Sequence, residues 1–517
     1  MNKARWFVAA LAIVSTAAFA QTANFSVISG GKNVGHMIAE TKGDTTRIDF
    51  DVKNNGRGPT MAETIRSNAQ GLPVAWTVKG TTTFGSKVDE HFTQSSTQAG
   101  TQAEWLDSTG KGSAAITRQG LYVAQSGSPW AYNIYLHALM NAPGMTLAVL
   151  PAGTLRLEKG ETLSVSKGAK DTNGAAGKDA LDVTRYDLSG IDLLPTSLLV
   201  DARGELFAVV SPSFIVIRKG YEAEEERLRK FAADWSTQRL VTMDKKIAHR
   251  YATPVRIRNV RVFDPATSAL TPPVSVLVMG REIAAVEPLD SPASKGETTI
   301  DGAGGTLVAG MYEMHGHLGQ GDALLNLMAG ITTVRDMGND NAVLDRLITR
   351  IEAGEISGPR VVRSGFIEGK SQYSANNGFV VASQEEALEA VRWYGARGYW
   401  QIKIYNSMNP AWVPAMITEA HRLGMRVAGH VPAFATADEM ITAGYDEMTH
   451  INQFMLGWVM QPGEDTRTLF RLTALKRLPT LDVQGAKVQH TIQMMVDGRK
   501  AIDPTLGIHE LLLLHRD

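Results

Sequence analysis

Residues 399–430 read "YWQIKIYNSMNPAWVPAMITEAHRLGMRVAGH", and this stretch decides the architecture of the second half of the chain. Two short apolar runs, "YWQIKIY" and "MRVAGH", flank a helical stretch, "PAWVPAMITEAHRLG". Strands separated by a helix are parallel neighbours, because the connection is too long for a hairpin. The alternation extends both ways from Thr306 onward, through "TLVAGMYEMH", "GITTVRD", "PRVVRSGF", the two runs above, "DEMTHIN" and "DPTLGIHE". Seven such strands predict an α/β fold, either an eight-fold barrel or an open doubly wound sheet.

Side chains two apart on a strand share a face, so Glu313, His315 and His317 of "EMHGH" look the same way. Alone, the pair of histidines also fits two rings sharing a polar strand end. Three later strand ends add Lys403 in "QIKIY", His430 in "VAGHVP" and His450 in "EMTHINQ". The gaps of 27 and 20 residues between these three suit one strand–helix–strand step each. In a parallel barrel the carboxyl ends of all strands meet at one face, where active sites are built. Four imidazoles and a lysine converging there point to a metal ion, since imidazole is a preferred zinc ligand.

With these residues in place, the region from Val255 to the end resembles the amidohydrolase superfamily of metal-dependent hydrolases, most of all its prolidase-like and imidazolonepropionase-like branch. Its Asp-x-His-x-His signature is matched by "EMHGH", with Glu313 in the acidic place, and "GITTVRDMG" at 330–338 resembles the strand that follows. The resemblance implies a (β/α)8-type TIM barrel beside a small β-sandwich. It implies two divalent ions, zinc by preference, with His315 and His317 on one, His430 and His450 on the other, and Lys403, carboxylated on its amine, bridging them. A carbamate behaves as a carboxylate, which explains a lysine among metal ligands. The implied reaction is attack of metal-bound hydroxide on the carbonyl of an amide or cyclic amide in a small molecule or dipeptide. Lys403 and Tyr405 are the candidate catalytic residues, and Arg335 and Asp336 would hold the site from outside.

The resemblance also implies an aspartate at the end of an eighth strand. Asp503 reads as the start of the seventh strand, Asp517 is terminal, and Asp482 lies between the sixth and seventh, so none matches. The expectation is a barrel lacking its last strand, truncated at the C-terminus, with the activity of this chain to be established.

The rest of the 517 residues divides around this region. "MNKARWFVAALAIVSTAAFA", residues 1–20, has basic Lys3 and Arg5, a short apolar core and Ala18-Phe19-Ala20, the pattern of a cleavable signal peptide. Export to the periplasm or medium is expected, with no membrane anchor after cleavage. The chain has no cysteine, so disulfides are excluded. Residues 21–220 read as a β-rich domain, with Ile48, Phe50 and Val52 of "TRIDFDV" on one strand face; 221–252 is a connecting helix; 253–303 is the small β-sandwich, including a hairpin turning at Gly280-Arg281; 304–517 is the barrel. Lysine and arginine number 52 against 53 acidic residues, a balance that favours no nucleic-acid partner. A small-molecule substrate is expected. Neither "SGFIEGKS" at 364–371 nor "SVSK" at 164–167 has the spacing or context of the phosphate-loop or Ser-x-x-Lys motif it approximates. The opposing readings are a non-catalytic periplasmic binding protein with a remnant barrel, and an esterase or lactonase using the same metals.

Overall fold

The protein is described here from a computed structural model covering residues 21–98, 100–116, 120–168, 180–319 and 321–514. The expected signal peptide, Asp517 and most of the Gly-rich stretch 168–179 lie outside these residues. The chain forms two compact units, one reaching Ala232 and including the stretch from Gly507, the other Ala233–Leu506.

Alternating sequence builds the first unit. In Thr45–Val52 the side chains of Ile48, Phe50 and Val52 are buried while Arg47 and Asp49 are exposed. Strands of this kind form a fifteen-stranded sheet among the described residues. Eight successive strands from Gln21–Ser29 to Gly110–Ile116 pair antiparallel in chain order. Gln21–Ser29 also pairs with Phe214–Arg218, and from there the sheet runs back through Thr154–Val165 to Leu121–Tyr122. One apolar core unites both arms with the helix Ala131–Met140. Within it Tyr122 stacks on Phe92 at 4.4 Å and meets Trp76 edge-on at 6.4 Å. Two buried carboxylates tie the segment before that helix to the sheet. Glu63 accepts from Trp76 Nε1 at 2.9 Å and from the Ser128 amide at 2.5 Å, and Glu90 accepts from Tyr122 and the amides of Gln125 and Ser126.

The helix Glu225–Ile247 carries the chain into the second unit, followed by a six-stranded sheet among the described residues, in the region expected as the small β-sandwich. Its hairpin turns at Gly280-Arg281, between Val274–Met279 and Glu282–Pro288. On this sheet Ile283 is 71% exposed and Val286 54%. Buried Arg256 fastens the sheet by donating to Glu297 and Glu287.

The parallel sheet follows, with strands β1 (Met311–Gly316), β2 (Ile331–Asp336), β3 (Arg360–Gly369), β4 (Phe379–Val381), β5 (Gln401–Ile404), β6 (Arg426–Gly429), β7 (Glu447–Thr449) and β8 (Ala501–Asp503). Its order is β1-β2-β3-β5-β6-β7-β8, with β4 paired to the far end of β3. Strand β4 was not foreseen. Neither was the extent of the last strand, because "DPTLGIHE" is not extended: β8 ends at Asp503, and a helix runs over Leu506–Leu514. Pro504 has no N–H to donate to a ladder and Thr505 sits at φ 50°, so extended pairing stops there. Asp503 therefore closes its strand at the carboxyl end, contrary to its expected place at the start. The sheet curls enough that side chains from β1 and β8 touch, although these two strands share no ladder among the described residues.

Trp76→Phe should keep most of the buried ring area yet leave a Glu63 oxygen without its donor. We expect a loss of about 1–3 kcal/mol, measured as a lower urea midpoint with an unchanged slope.

Candidate active site

Each sequence-predicted residue lies at the carboxyl end of its strand, and the structure brings them together. The ring centres of His315 and His317 are 5.5 Å apart, those of His315 and His450 4.5 Å, and those of His430 and His450 4.5 Å. Lys403 Nζ lies 3.0 Å from His315 Nε2. The Tyr405 ring, two residues on, lies tilted against His430 at 4.0 Å and Phe366 at 4.8 Å. The close approach of β6 to β5 is set by Gly429, at φ 145°, where a Cβ would come within 2.1 Å of the Ile404 carbonyl oxygen. The next residue is His430, which the glycine thereby holds against Tyr405.

All four imidazoles are engaged through the same nitrogen. Nδ1 of His315 meets Asp503 Oδ2 at 2.7 Å, and that of His317 donates to the Gly338 carbonyl at 2.7 Å. Nδ1 of His430 donates to Asn406 Oδ1 at 2.5 Å, and that of His450 pairs with Thr505 Oγ1 at 2.8 Å. A ring tied through Nδ1 presents the other nitrogen, Nε2, on its opposite side, the arrangement found for metal-ligating histidines. His450 takes φ 66° and ψ 105° to reach its place, a conformation that costs about 1–3 kcal/mol for a non-glycine residue. Its amide is secured by the Asp503 carbonyl at 2.8 Å.

Electrostatics keeps His315 and His317 neutral. Burial, then the Lys403 ammonium, pushes His315 down to about 2, and the same two causes hold His317 below its ordinary value. The Nδ1–H of a neutral His315 therefore donates to Asp503. Burial also pushes the Lys403 amine down to about 7, against the opposing pull of Asp503 and Asp336. Asp503 in turn is raised by burial, with Arg335 and Lys403 opposing.

Arg335 and Asp336 act from behind these groups. Arg335, 3% exposed, donates Nε to the Met314 carbonyl at 2.7 Å, both terminal nitrogens to Glu447 at 2.9 and 2.7 Å, and Nη2 to Asp503 at 3.2 Å. Asp336 accepts from the amides of Leu318 and Gly338 at 2.8 and 3.0 Å, shaping the loop whose Gly338 carbonyl holds His317. Glu313 accepts from the His315 amide at 2.7 Å.

Asp503, Asn406, Thr505 and Glu447 were missed in the sequence. The signals present were the dipeptide Asp503-Pro504, which ends a strand, and the period-two placement of Glu447 before Thr449 in the His450 strand. Glu368 at the end of β3 was missed as well. Burial pushes it up to about 7 while it accepts from the amides of Gly369 and Ser407.

The donor set fits a metal in type, imidazole being a preferred zinc ligand. Among the described residues no three His, Cys, Asp or Glu side chains are spaced to hold an ion as they stand. The Lys403 amine, hydrogen-bonded to Nε2 of His315, lies on the side of the ring from which an ion would be bound.

No family model matches the chain, and no curated protein matches it. Among solved structures it is similar to a Xaa-Pro dipeptidase with bound methionine in its active site, at 19% identity and a TM-score of 0.38, over 50% of this chain and 68% of that one. It is similar also to a putative prolidase from Bifidobacterium longum, at 22% and 0.34, over 43% of this chain and 60% of that one. A bottromycin amidohydrolase matches at 20% and 0.36, over 47% of this chain and 54% of that one. At TM-scores below 0.5 none of these likenesses bears on what this chain does, which its own residues must decide.

Arg335→Met leaves Glu447 buried without its partner, so stability should fall by about 3–5 kcal/mol. Chemical unfolding of the variant checks this, and Arg335→Met combined with Glu447→Leu should recover most of the loss.

Proposed function

We propose that the chain is an exported metal-dependent amidohydrolase that hydrolyses the amide or cyclic amide bond of a small molecule or dipeptide. The observation that carries this reading is the common engagement of His315, His317, His430 and His450 through Nδ1, each by a different outer partner. Four rings so fixed at the end of one parallel sheet would form a ligand set, and a cluster kept only for packing has no need of a polar partner at the same nitrogen of every ring. His315 and His317 would hold one divalent ion, His430 and His450 a second, with Lys403 carboxylated between them. Zinc ions bound there would supply a Lewis acid for the carbonyl and a lowered pKa for water.

The chain's own residues prepare that chemistry. The buried Lys403 amine, at about 7, is substantially unprotonated at neutral pH, and the free base is the form that adds to carbon dioxide. Tyr405, packed on His430, is the candidate for contact with the substrate. Asn406 and Thr505 fix the rings of the second pair. Export rests on the first twenty residues, with cleavage after Ala20 giving a periplasmic or secreted protein.

Elemental analysis of the protein prepared with zinc and bicarbonate, followed by assay on matched amides and esters, tests the reading. Two ions per chain and amide cleavage are expected. Lys403→Ala should lower kcat/KM by at least about 100-fold, and Asn406→Leu should weaken metal affinity by about 10–100-fold. A well-folded chain that takes up no zinc, or one that cleaves esters and no amide, would overturn it.

A further inference from the structure

Asn406 holds the His430 ring, and its own side chain has a single bond. It is 1% exposed, its Oδ1 accepts from His430 Nδ1 at 2.5 Å, and its Nδ2 makes no hydrogen bond to any described residue. A side chain anchored only by the group it is meant to aim takes its place from the main chain that carries it.

That main chain is clamped from two sides. The Asn406 carbonyl accepts from the Ala433 amide at 2.8 Å, in the loop that follows His430. From the other side the Ser407 amide donates to Glu368 Oε1 at 2.7 Å, which ties the turn after β5 to the end of β3. Gly369 permits the approach, since a Cβ there would come within 2.1 Å of the Ser407 carbonyl oxygen. Ser371 adds a hydroxyl bond to Ser407 Oγ at 2.9 Å.

Glu368 is fully buried and forms no ion pair among the described residues. A carboxyl group in that position is expensive, and packing alone would favour an apolar side chain. Its oxygens are turned to main-chain amides instead: Gly369 at 2.9 Å and Ser407 at 2.7 Å on Oε1, and Ala375 at 3.3 Å on Oε2. Gly369 is its chain neighbour and the Ala375 bond is long. The short bond to Ser407 is the one that reaches another strand's exit, one residue from Asn406.

Resting on the hydrolase reading, we propose that Glu368 is a positioning residue for His430. Its oxygen fixes the Ser407 amide, the fixed turn aims Asn406, and Asn406 holds the ring that would bind the second ion. On this account the reach of the side chain matters and its charge does not. Gln has the same length and keeps an oxygen for Ser407; Asp keeps the charge but is one methylene too short.

Nuclear magnetic resonance of the metal-free full chain, labelled with nitrogen-15 at histidine, tests this without turnover. The Nδ1–H signal of His430 is identified by its loss in His430→Gln, and that of His317, tied to Gly338 in another loop, serves as the internal control. Glu368→Gln should retain the His430 signal. Glu368→Asp should move it upfield and speed its exchange with water while His317 stays unchanged. In a zinc titration Glu368→Asp should weaken the second ion by about 10–100-fold and leave the first in place. An unchanged His430 signal in Glu368→Asp, its loss in Glu368→Gln, or an equal change at His317 would overturn the proposal. A chain in which His430 responds as expected but no zinc binds would leave Glu368 as the residue that positions this ring and remove the hydrolase reading instead.

Discussion

The buried guanidinium of Arg335 is the constraint on which the second unit depends. A cation that is 3% exposed can stay charged only if its donors are met, and the acceptors come from three places: the Met314 carbonyl in β1, Glu447 in β7 and Asp503 in β8. Strands β1 and β8 share no ladder among the described residues, so side-chain bonds tie one end of the sheet to the other. The same network reaches the chemistry, since the Asp503 oxygen that accepts from Arg335 also holds Nδ1 of His315. Folding of the sheet and aiming of the first imidazole are thus one event.

A second buried cation would be hard to tolerate nearby, and the site resolves this by proton release. Desolvation penalises the Lys403 ammonium more than Asp503 and Asp336 stabilise it, and its affinity for a proton falls to about 7. Two of the neighbouring histidines respond in the same sense, because each is buried beside a positive charge. Neutral imidazole and neutral amine are the protonation states that ligation and carbamate formation require. Under the proposed function, the electrostatics that make this cluster costly would also ready it for an anionic bridge and metal ions.

The positions of His315, His317, Lys403, His430 and His450 were legible because they depend only on strand period and on the length of one strand–helix–strand step. Both are local properties of the text. The partners of those residues were not legible. Asn406 meets His430 from 24 residues away, Thr505 meets His450 from 55, and Asp503 meets His315 from 188, and no periodicity encodes such pairings. Asp503 was misplaced for a local reason too: "DPTLGIHE" has strand-like apolar residues, yet Pro504 ends the ladder and the leucines beyond it enter a helix. In the first unit, alternation at Ile48, Phe50 and Val52 gave the strands, whereas the pairing of Gln21–Ser29 with Phe214–Arg218, which joins the two arms of the sheet, spans nearly the whole unit.

Positive φ occurs at glycines and at other residues in the second unit, Asn259, Ser268, Ala303 and Arg499 among the latter. Gly280 and Gly296 take positive φ where a Cβ would meet nothing within 4 Å, which is the ordinary use of glycine in a turn. At the carboxyl end of the parallel sheet the same region is occupied by Phe434 at φ 67°, His450 at 66° and Thr505 at 50°, side chains that glycine would spare the cost. Each of them contributes something glycine lacks: Phe434 a ring beside Arg467, His450 an imidazole within 4.5 Å of two others, and Thr505 the hydroxyl that fixes His450. Stability given up at these positions has no return in packing, since Phe434 is exposed and Thr505 and His450 are only partly covered. It is explained if the side chains are needed where they stand, as the proposed function requires of His450 and of the Thr505 hydroxyl that fixes it.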